Sequence, residues 1–393
     1  MSTGASAAVP VGDALESALL GWDWRPYRDA RVTLVVCDRT RPLPYTETLE
    51  PLLAALDLVG AAMTVLVALG LHRPMDEGEC EELRRLCGRF GAQLVQHDPA
   101  SDQLVGSAGG GAWNPRFHRD HILRAERLIT VGVVEPHQYA GFSGGIKAIS
   151  IGCADRQTIA GLHGLSLLRH PGVRVGKIDG NPFQESLWDV ALGLPPVSGL
   201  FLVPASRGRV FGAAFGEVRD AFERSVAIAR EHHFRAHSDR VDWLVARVPK
   251  SKALTFYQAS RAATYIALVD APIVRPGGWV LLEASCPEGI GLGSGEQACE
   301  EAMRRGVKTL RAELAGRKAN LATRGGEQRA YVLAQSLERV RIGLIGPPIS
   351  ALTPMGIPSF SSLAEARGEL GLTGSSLVVD DVFRGVPFWA PGS

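Results

Sequence analysis

Residues 135–153 read EPHQYAGFSGGIKAISIGC and set His137 and Lys147 in one apolar stretch, separated by Gly141, Gly144 and Gly145. An imidazole changes charge near neutral pH and can take or give a proton. A lysine relieved of its proton is a nucleophile or a covalent anchor for a bound group. Glycines let the backbone pass close to such a group, and consecutive amides can cradle an anion. The competing reading is a glycine-rich turn carrying a solvated lysine. Ser143 is not read as a nucleophile.

Other candidates lie on either side. DRTRP, residues 38–42, offers Asp38, Thr40 and Arg41, and a guanidinium fork can hold a carboxylate or a phosphate. His97, in VQHD, is either a general base or a satisfied histidine at a strand end. His163, in GLHGL, is either a core residue or, as one of three histidines near a lysine, a neutral imidazole ligand for a metal. In FYQASRAATY, residues 256–265, helical spacing puts Tyr257 and Arg261 on one face with Gln258 beside them, suited to a carboxylate or to an ordinary helix surface. GSGEQA, residues 293–298, satisfies a dinucleotide-binding pattern without a clear acidic partner downstream. HExxH and paired-cysteine zinc patterns are absent.

The elements that would position these residues alternate between strand and helix. RVTLVVCD, MTVLVALG and AQLVQHD read as buried strands separated by helical patterns over 46–60 and 75–91, and ERLITVGVVEP is a further strand. Asp38, His72, His97 and His137 each follow such a run, at the carboxyl edge where open α/β sheets bind ligands. Helical spacing covers ADRQTIAGLHGLSLLRH and residues 216–233; a second set of strands and helices starts after the polar stretch 235–240 and includes helices over 254–268 and 295–315. The organisation predicted is a flexible leader over 1–20, an N-terminal α/β domain over 21–238, a C-terminal α/β domain over 239–380, and a tail over 381–393 packing on the first domain.

At 393 residues the chain is long for one core, which favours two domains. A formal net charge of +1 without runs of like charge gives no footing for nucleic acid or an anionic membrane, and no apolar run approaches the ~20 residues of a membrane span. The six cysteines show no regular spacing, so free and mostly buried thiols are expected in a soluble, cytoplasmic protein.

Taken in order, DRTRP, ALGLHRPM, QHD, EPHQYAGFSGGIK, His163 sixteen residues after Lys147, and YQASRA resemble the nickel-pincer-dependent lactate racemase family. The resemblance implies two α/β domains with mostly parallel sheets and an active-site cleft between them. It implies a nickel-pincer nucleotide, a pyridinium mononucleotide whose sulfur and carbon atoms hold nickel, joined covalently to Lys147, with His163 completing the metal's coordination. Asp38, Thr40, Gly144 and Gly145 would lie near the nucleotide. His97 and His137 match the family's pair of bases, and Arg41, Tyr257, Gln258 and Arg261 would hold the substrate carboxylate. The implied activity is racemisation or epimerisation of a 2-hydroxy acid by hydride transfer through a 2-keto acid, with cofactor-biosynthesis enzymes as partners. Arg261 stands where lactate enzymes carry lysine, and Ile151 where the family often has proline. Trp113, Phe117 and Trp389 are candidate pocket walls for a larger acid. Two rival readings are an NAD-dependent oxidoreductase of a small hydroxy acid and a cofactor-binding protein without turnover.

Overall fold

The strand Arg31–Cys37 (β1) buries five consecutive residues, as a strand covered on both faces must. The computed structural model describes residues 7–109, 111–316 and 324–392, and these divide into two compact units. The first comprises residues up to Glu135, Phe142–Leu162 and Gln184–His232; the second comprises Pro136–Gly141, His163–Phe183 and the chain from His233 onward.

In the first unit β1 is joined by Ala62–Ala68 (β2), Gln93–Gln96 (β3), Arg127–Val133 (β4), Val197–Pro204 (β5) and Val210–Glu217 (β6), in the order β6-β5-β4-β1-β2-β3. All neighbours run parallel except β5 and β6. That antiparallel hairpin was not read from the sequence; Arg207 and Gly208, both at positive φ, form its turn. The helices Tyr45–Leu58 (α2) and Glu77–Arg89 (α3) return the chain between strands, and α3 starts in a reciprocal cap between Asp76 and Glu79. The core gathers Leu34, Val36, Leu49, Leu53, Val65 and Leu83.

The expected flexible leader is structured from Ala7 on, while residues 1–6 lie outside the described residues. Val9 bridges to Val210, and the helix Val11–Leu19 (α1) buries Val11, Ala14 and Leu15, a three-to-four spacing that gives it an apolar stripe.

The second unit holds an all-parallel sheet of Val241–Arg247 (β8), Val274–Glu283 (β9), Arg341–Ile345 (β10), Ser359–Phe360 (β11) and Ser376–Val379 (β12), in the order β11-β10-β9-β8-β12. Phe234–His237 (β7) pairs with Val386–Trp389 (β13). The tail thus contributes a strand paired with residues 234–237, which the sequence reading placed at the end of the first domain and which fall in the second unit; there Trp389 N also donates to Ala271 O and its ring lies under Arg240. Expected helices are broken where glycine intervenes. Arg156–Leu162 (α5) and Leu165–Leu168 (α6) part at His163–Gly164; Ser294–Arg304 (α11) and Val307–Ala315 (α12) part at Gly306, whose φ is +83°. The mostly parallel α/β class is as the sequence implied. Among the described residues no helix is long and apolar enough to cross a membrane. All six cysteines are free and five of them are buried.

Candidate active site

In the first unit Asp38, His72 and His97 follow β1, β2 and β3, so three adjacent strands deliver them to one sheet edge. Asp38 is buried and both its oxygens are engaged: Oδ2 accepts from His72 Nδ1 at 2.6 Å, and Oδ1 accepts from the Thr40 hydroxyl at 2.5 Å and the Thr40 amide at 3.2 Å. Burial alone would raise this carboxyl, but the bonds from His72 and Thr40 outweigh it and hold it below the usual aspartate range. His72 is more than half exposed. It followed the strand as expected, yet sequence reasoning did not select it as a site residue; an aspartate and a histidine at the tips of neighbouring strands was the available signal.

His97 is sealed away. Its Nε2 donates to Ala154 O at 3.0 Å, which fixes the proton on Nε2, and its buried Nδ1 has no hydrogen-bond partner. Burial lowers the imidazole to about 4. Arg41 sits in the same turn, its amide bonded to Asp38 O.

Lys147 opens the short helix Lys147–Ser150 (α4), half-buried, and α4 packs near β1 and β4. The chain leaving α4 is bound to the end of β2: Gly70 N donates to Gly152 O at 3.0 Å, and a Cβ on Gly152 would lie 2.5 Å from Ala68 Cβ. Ile151 N donates to Lys147 O at 3.0 Å, a bond that proline at this position would forfeit. Gly144 and Gly145 adopt φ of +82° and +61°, and an added Cβ would meet Val134 at 2.8 Å or the Phe222 ring at 2.9 Å. Their need for glycine is therefore explained by the turn and by packing. Residues 141–145 carry the Gly-x-Ser-x-Gly spacing of a nucleophile elbow, but Ser143 Oγ donates to Val133 O and accepts from Glu135 N, so the hydroxyl serves the turn.

In the second unit His137 Nδ1 accepts from the Tyr139 and Ala140 amides, each at 3.2 Å, so its neutral form carries the proton on Nε2. The loop around it is pinned: Tyr265 donates to Pro136 O at 2.6 Å, Asn181 to Tyr139 O at 2.8 Å, and Gly176 N to Gly141 O at 2.9 Å. Tyr139 places its ring edge-on to His137, with centroids 5.8 Å apart, and to His163, 6.0 Å away; Phe183 completes a triangle of rings, 5.5 Å from His163 and 5.9 Å from Tyr139. The two histidines thus share one aromatic wall.

Thr255 caps the helix Phe256–Ala259 (α9) that carries Tyr257 and Gln258, and Arg261 opens Arg261–Ala267 (α10). Arg261 Nη1 donates to Gln258 Oε1 at 3.2 Å, which confirms their adjacency. The glycine-rich stretch near 289 supports these residues: Gly289 O and Ile290 O accept from the Phe256 and Tyr257 amides. At the N-terminus of α11 the Glu296 carboxylate accepts from Gly293 N at 2.6 Å, so the protein's own anion stands where GSGEQA would need a phosphate. Of the proposed walls, Phe117 is fully buried in the first unit, Trp113 lies against Gly161 there, and Trp389 belongs to the closing strand of the second.

Residues 26–176 match the lactate racemase N-terminal domain. This N-terminal segment is similar to the N-terminal domain of lactate racemases. The lactate racemase of Thermoanaerobacterium thermosaccharolyticum is 29% identical over 168 residues, covering 40% of this chain and 37% of that enzyme. The lactate racemase of Lactiplantibacillus plantarum is 28% identical over 172 residues, covering 40% and 38%. The aligned segment thus spans well under half of these relatives' own lengths. In fold, the chain is similar to the lactate racemase apoprotein of T. thermosaccharolyticum, with a TM-score of 0.84 at 20% identity over 97% of this chain and 93% of that one. A Thermotoga maritima protein superposes with a TM-score of 0.70 at 14% identity over 97% of each chain.

Proposed function

We propose that the chain is an isomerase that inverts the C2 centre of a small 2-hydroxy acid through a 2-keto acid, with a nickel-pincer nucleotide joined to Lys147 and its nickel ligated by His163. The observation that carries this reading is that one family match, residues 26–176, contains Lys147, His137 and His163 together. The donor set fits such a cofactor. A pincer nucleotide would bring its own sulfur and carbon donors to nickel, so one imidazole suffices to complete them. His163 packs edge-on against the adjoining rings of Tyr139 and Phe183, which orient its imidazole.

When bound, the cofactor supplies the acceptor and donor of hydride at C2. The chain's residues do the rest. Arg41, Tyr257, Gln258 and Arg261 hold the carboxylate, and the Arg261–Gln258 bond sets the guanidinium's plane. Asp38, Thr40, Gly144 and Gly145 would lie near the nucleotide. Two imidazoles exchange the hydroxyl proton, one for each enantiomer; His137 serves as one of them once the Tyr139 and Ala140 amides release its Nδ1. For the other, two residues compete. His97 has an open lone pair on Nδ1 but is a weak base at about 4. His72 is exposed and donates to the Asp38 carboxylate, which leaves Nε2 as its acceptor. The exposure of His72 supports it as an alternative to His97.

The reading places the protein in the cytoplasm, dependent on the enzymes that make the cofactor. Its test is coexpression with those enzymes, followed by intact mass, nickel analysis and a chiral assay over a panel of 2-hydroxy acids. The expected result is a mass addition lost in Lys147→Ala, nickel lost in His163→Ala, and inversion of at least one acid. An active protein without modification or nickel overturns the mechanism; a fully loaded protein inert toward the whole panel favours a binding role. His72→Ala and His97→Ala, assayed separately, decide the base.

A further inference from the structure

Arg329 is the second residue of the helix Gln328–Ser336 (α13) and is 4% exposed. Its charge is poorly placed for a structural role. A cation in the first turn faces the positive end of the helix dipole. Among the described residues Arg329 forms no ion pair, while the neighbouring Glu327 is taken up by Arg305 and the Arg324 amide. A buried guanidinium without an anion is costly, and cores keep such a group when something compensates it. Its contacts are instead neutral: Nη1 donates to Gln138 Oε1, and the guanidinium carbon lies 5.6 Å from the centre of the Tyr257 ring. Nε is buried and has no hydrogen-bond partner.

With Nη1 committed to Gln138, the edge formed by Nε and Nη2 is left, and that edge presents two parallel N–H groups to a carboxylate. It belongs to the same unit as the residues already assigned to substrate: Gln138 directly follows His137, and Tyr257 directly precedes Gln258. Arg329 and Arg261 both act electrostatically on Tyr139 and on Tyr257, which places the two cations around one pair of rings.

We propose that Arg329 is a substrate-binding residue whose Nε–Nη2 edge takes a carboxylate of the 2-hydroxy acid, with Gln138 as the residue that orients it. This rests on the racemase reading for the identity of the acid, but not for the existence of the anion site.

The test has a binding arm and a kinetic arm. In the first, the full-length chain without cofactor is melted with lactate, with its neutral amide lactamide, and with inorganic phosphate. Wild type should be stabilised by lactate and not by lactamide; Arg329→Gln and Arg329→Met should lose that stabilisation, and Arg329→Lys should keep part of it. Both neutral variants should melt no lower than wild type without ligand, because they remove an uncompensated charge. In the second arm, loaded Arg329→Gln should raise KM about 10²-fold, with kcat changed less. An unchanged lactate response in Arg329→Gln and Arg329→Met overturns the proposal, as does an equal response of wild type to lactamide. Stabilisation by phosphate alone assigns the edge to a phosphate and overturns it too. If wild type binds lactate through Arg329 yet inverts no acid, the anion site stands and the racemase reading falls; if it inverts acids with KM unaltered in Arg329→Gln, the reverse holds.

Discussion

His72 Nδ1 lies 2.6 Å from Asp38 Oδ2, an imidazole and a carboxylate presented by neighbouring parallel strands and tied together beyond their ends. Asp38→Asn keeps the shape and removes the charge. At neutral pH it should destabilise the protein by about 1–3 kcal/mol, read by urea denaturation. Since the folded carboxyl is held below its ordinary range, its stabilising contribution is complete above the usual aspartate pKa and is lost as pH falls through the lowered value. The gap between variant and wild type should therefore shrink on acidification; a constant gap would mean that the charge is not what stabilises.

His97 offers the opposite case, a histidine kept neutral by burial. Its folded value of about 4 lies below the ordinary imidazole value, so the stability it contributes is present above the unfolded pKa and is lost as pH falls toward 4. The change is on the order of 3 kcal/mol. Nitrogen chemical shifts should show the Nε2–H form throughout the neutral range. A His97 ring that titrates near its unperturbed value would contradict the burial.

Gly145 should resist substitution for reasons of space and dihedral angle. Its φ is +61°, and a Cβ would stand 2.9 Å from the Phe222 ring. Gly145→Ala is expected to lower stability by about 1–3 kcal/mol. Phe222→Leu in the same chain should recover the part due to the clash but not the part due to backbone strain. Thermal melts of the two single variants and the double variant separate the contributions.

Glu296 closes the N-terminus of α11 against an outside anion. NADH fluorescence should not rise on mixing with wild type. Glu296→Ala should cost about 1 kcal/mol of stability through the lost cap, again without creating cofactor binding; an NADH response in either protein would revive the oxidoreductase reading.

Much of the fold was legible because buried parallel strands are written as runs of Val, Leu and Ile. β1, β2, β4 and β10 all stand where such runs occur. The β5–β6 hairpin escaped because one of its strands is diluted by Gly212, Ala213, Ala214 and Gly216, whose side chains carry little apolar signal. Helix breaks at His163 and Gly306 escaped because the apolar period continues across them while the backbone does not. At the site, residues close in sequence were readable: Tyr257, Gln258 and Arg261 on adjoining turns, and Asp38 with Thr40. Partners far apart in sequence were not. Nothing local joins Asp38 to His72 or Gln138 to Arg329, since only strand order and the placement of α13 bring them together.

The chain's path sets an order on its assembly. Lys147 belongs to a unit whose sequence ends at His232, whereas the loops bearing His137 and His163 belong to one that also needs the chain from His233 onward, down to the strand Val386–Trp389. On the ribosome, Lys147 can reach its folded setting while both imidazoles still await strands that have not been translated.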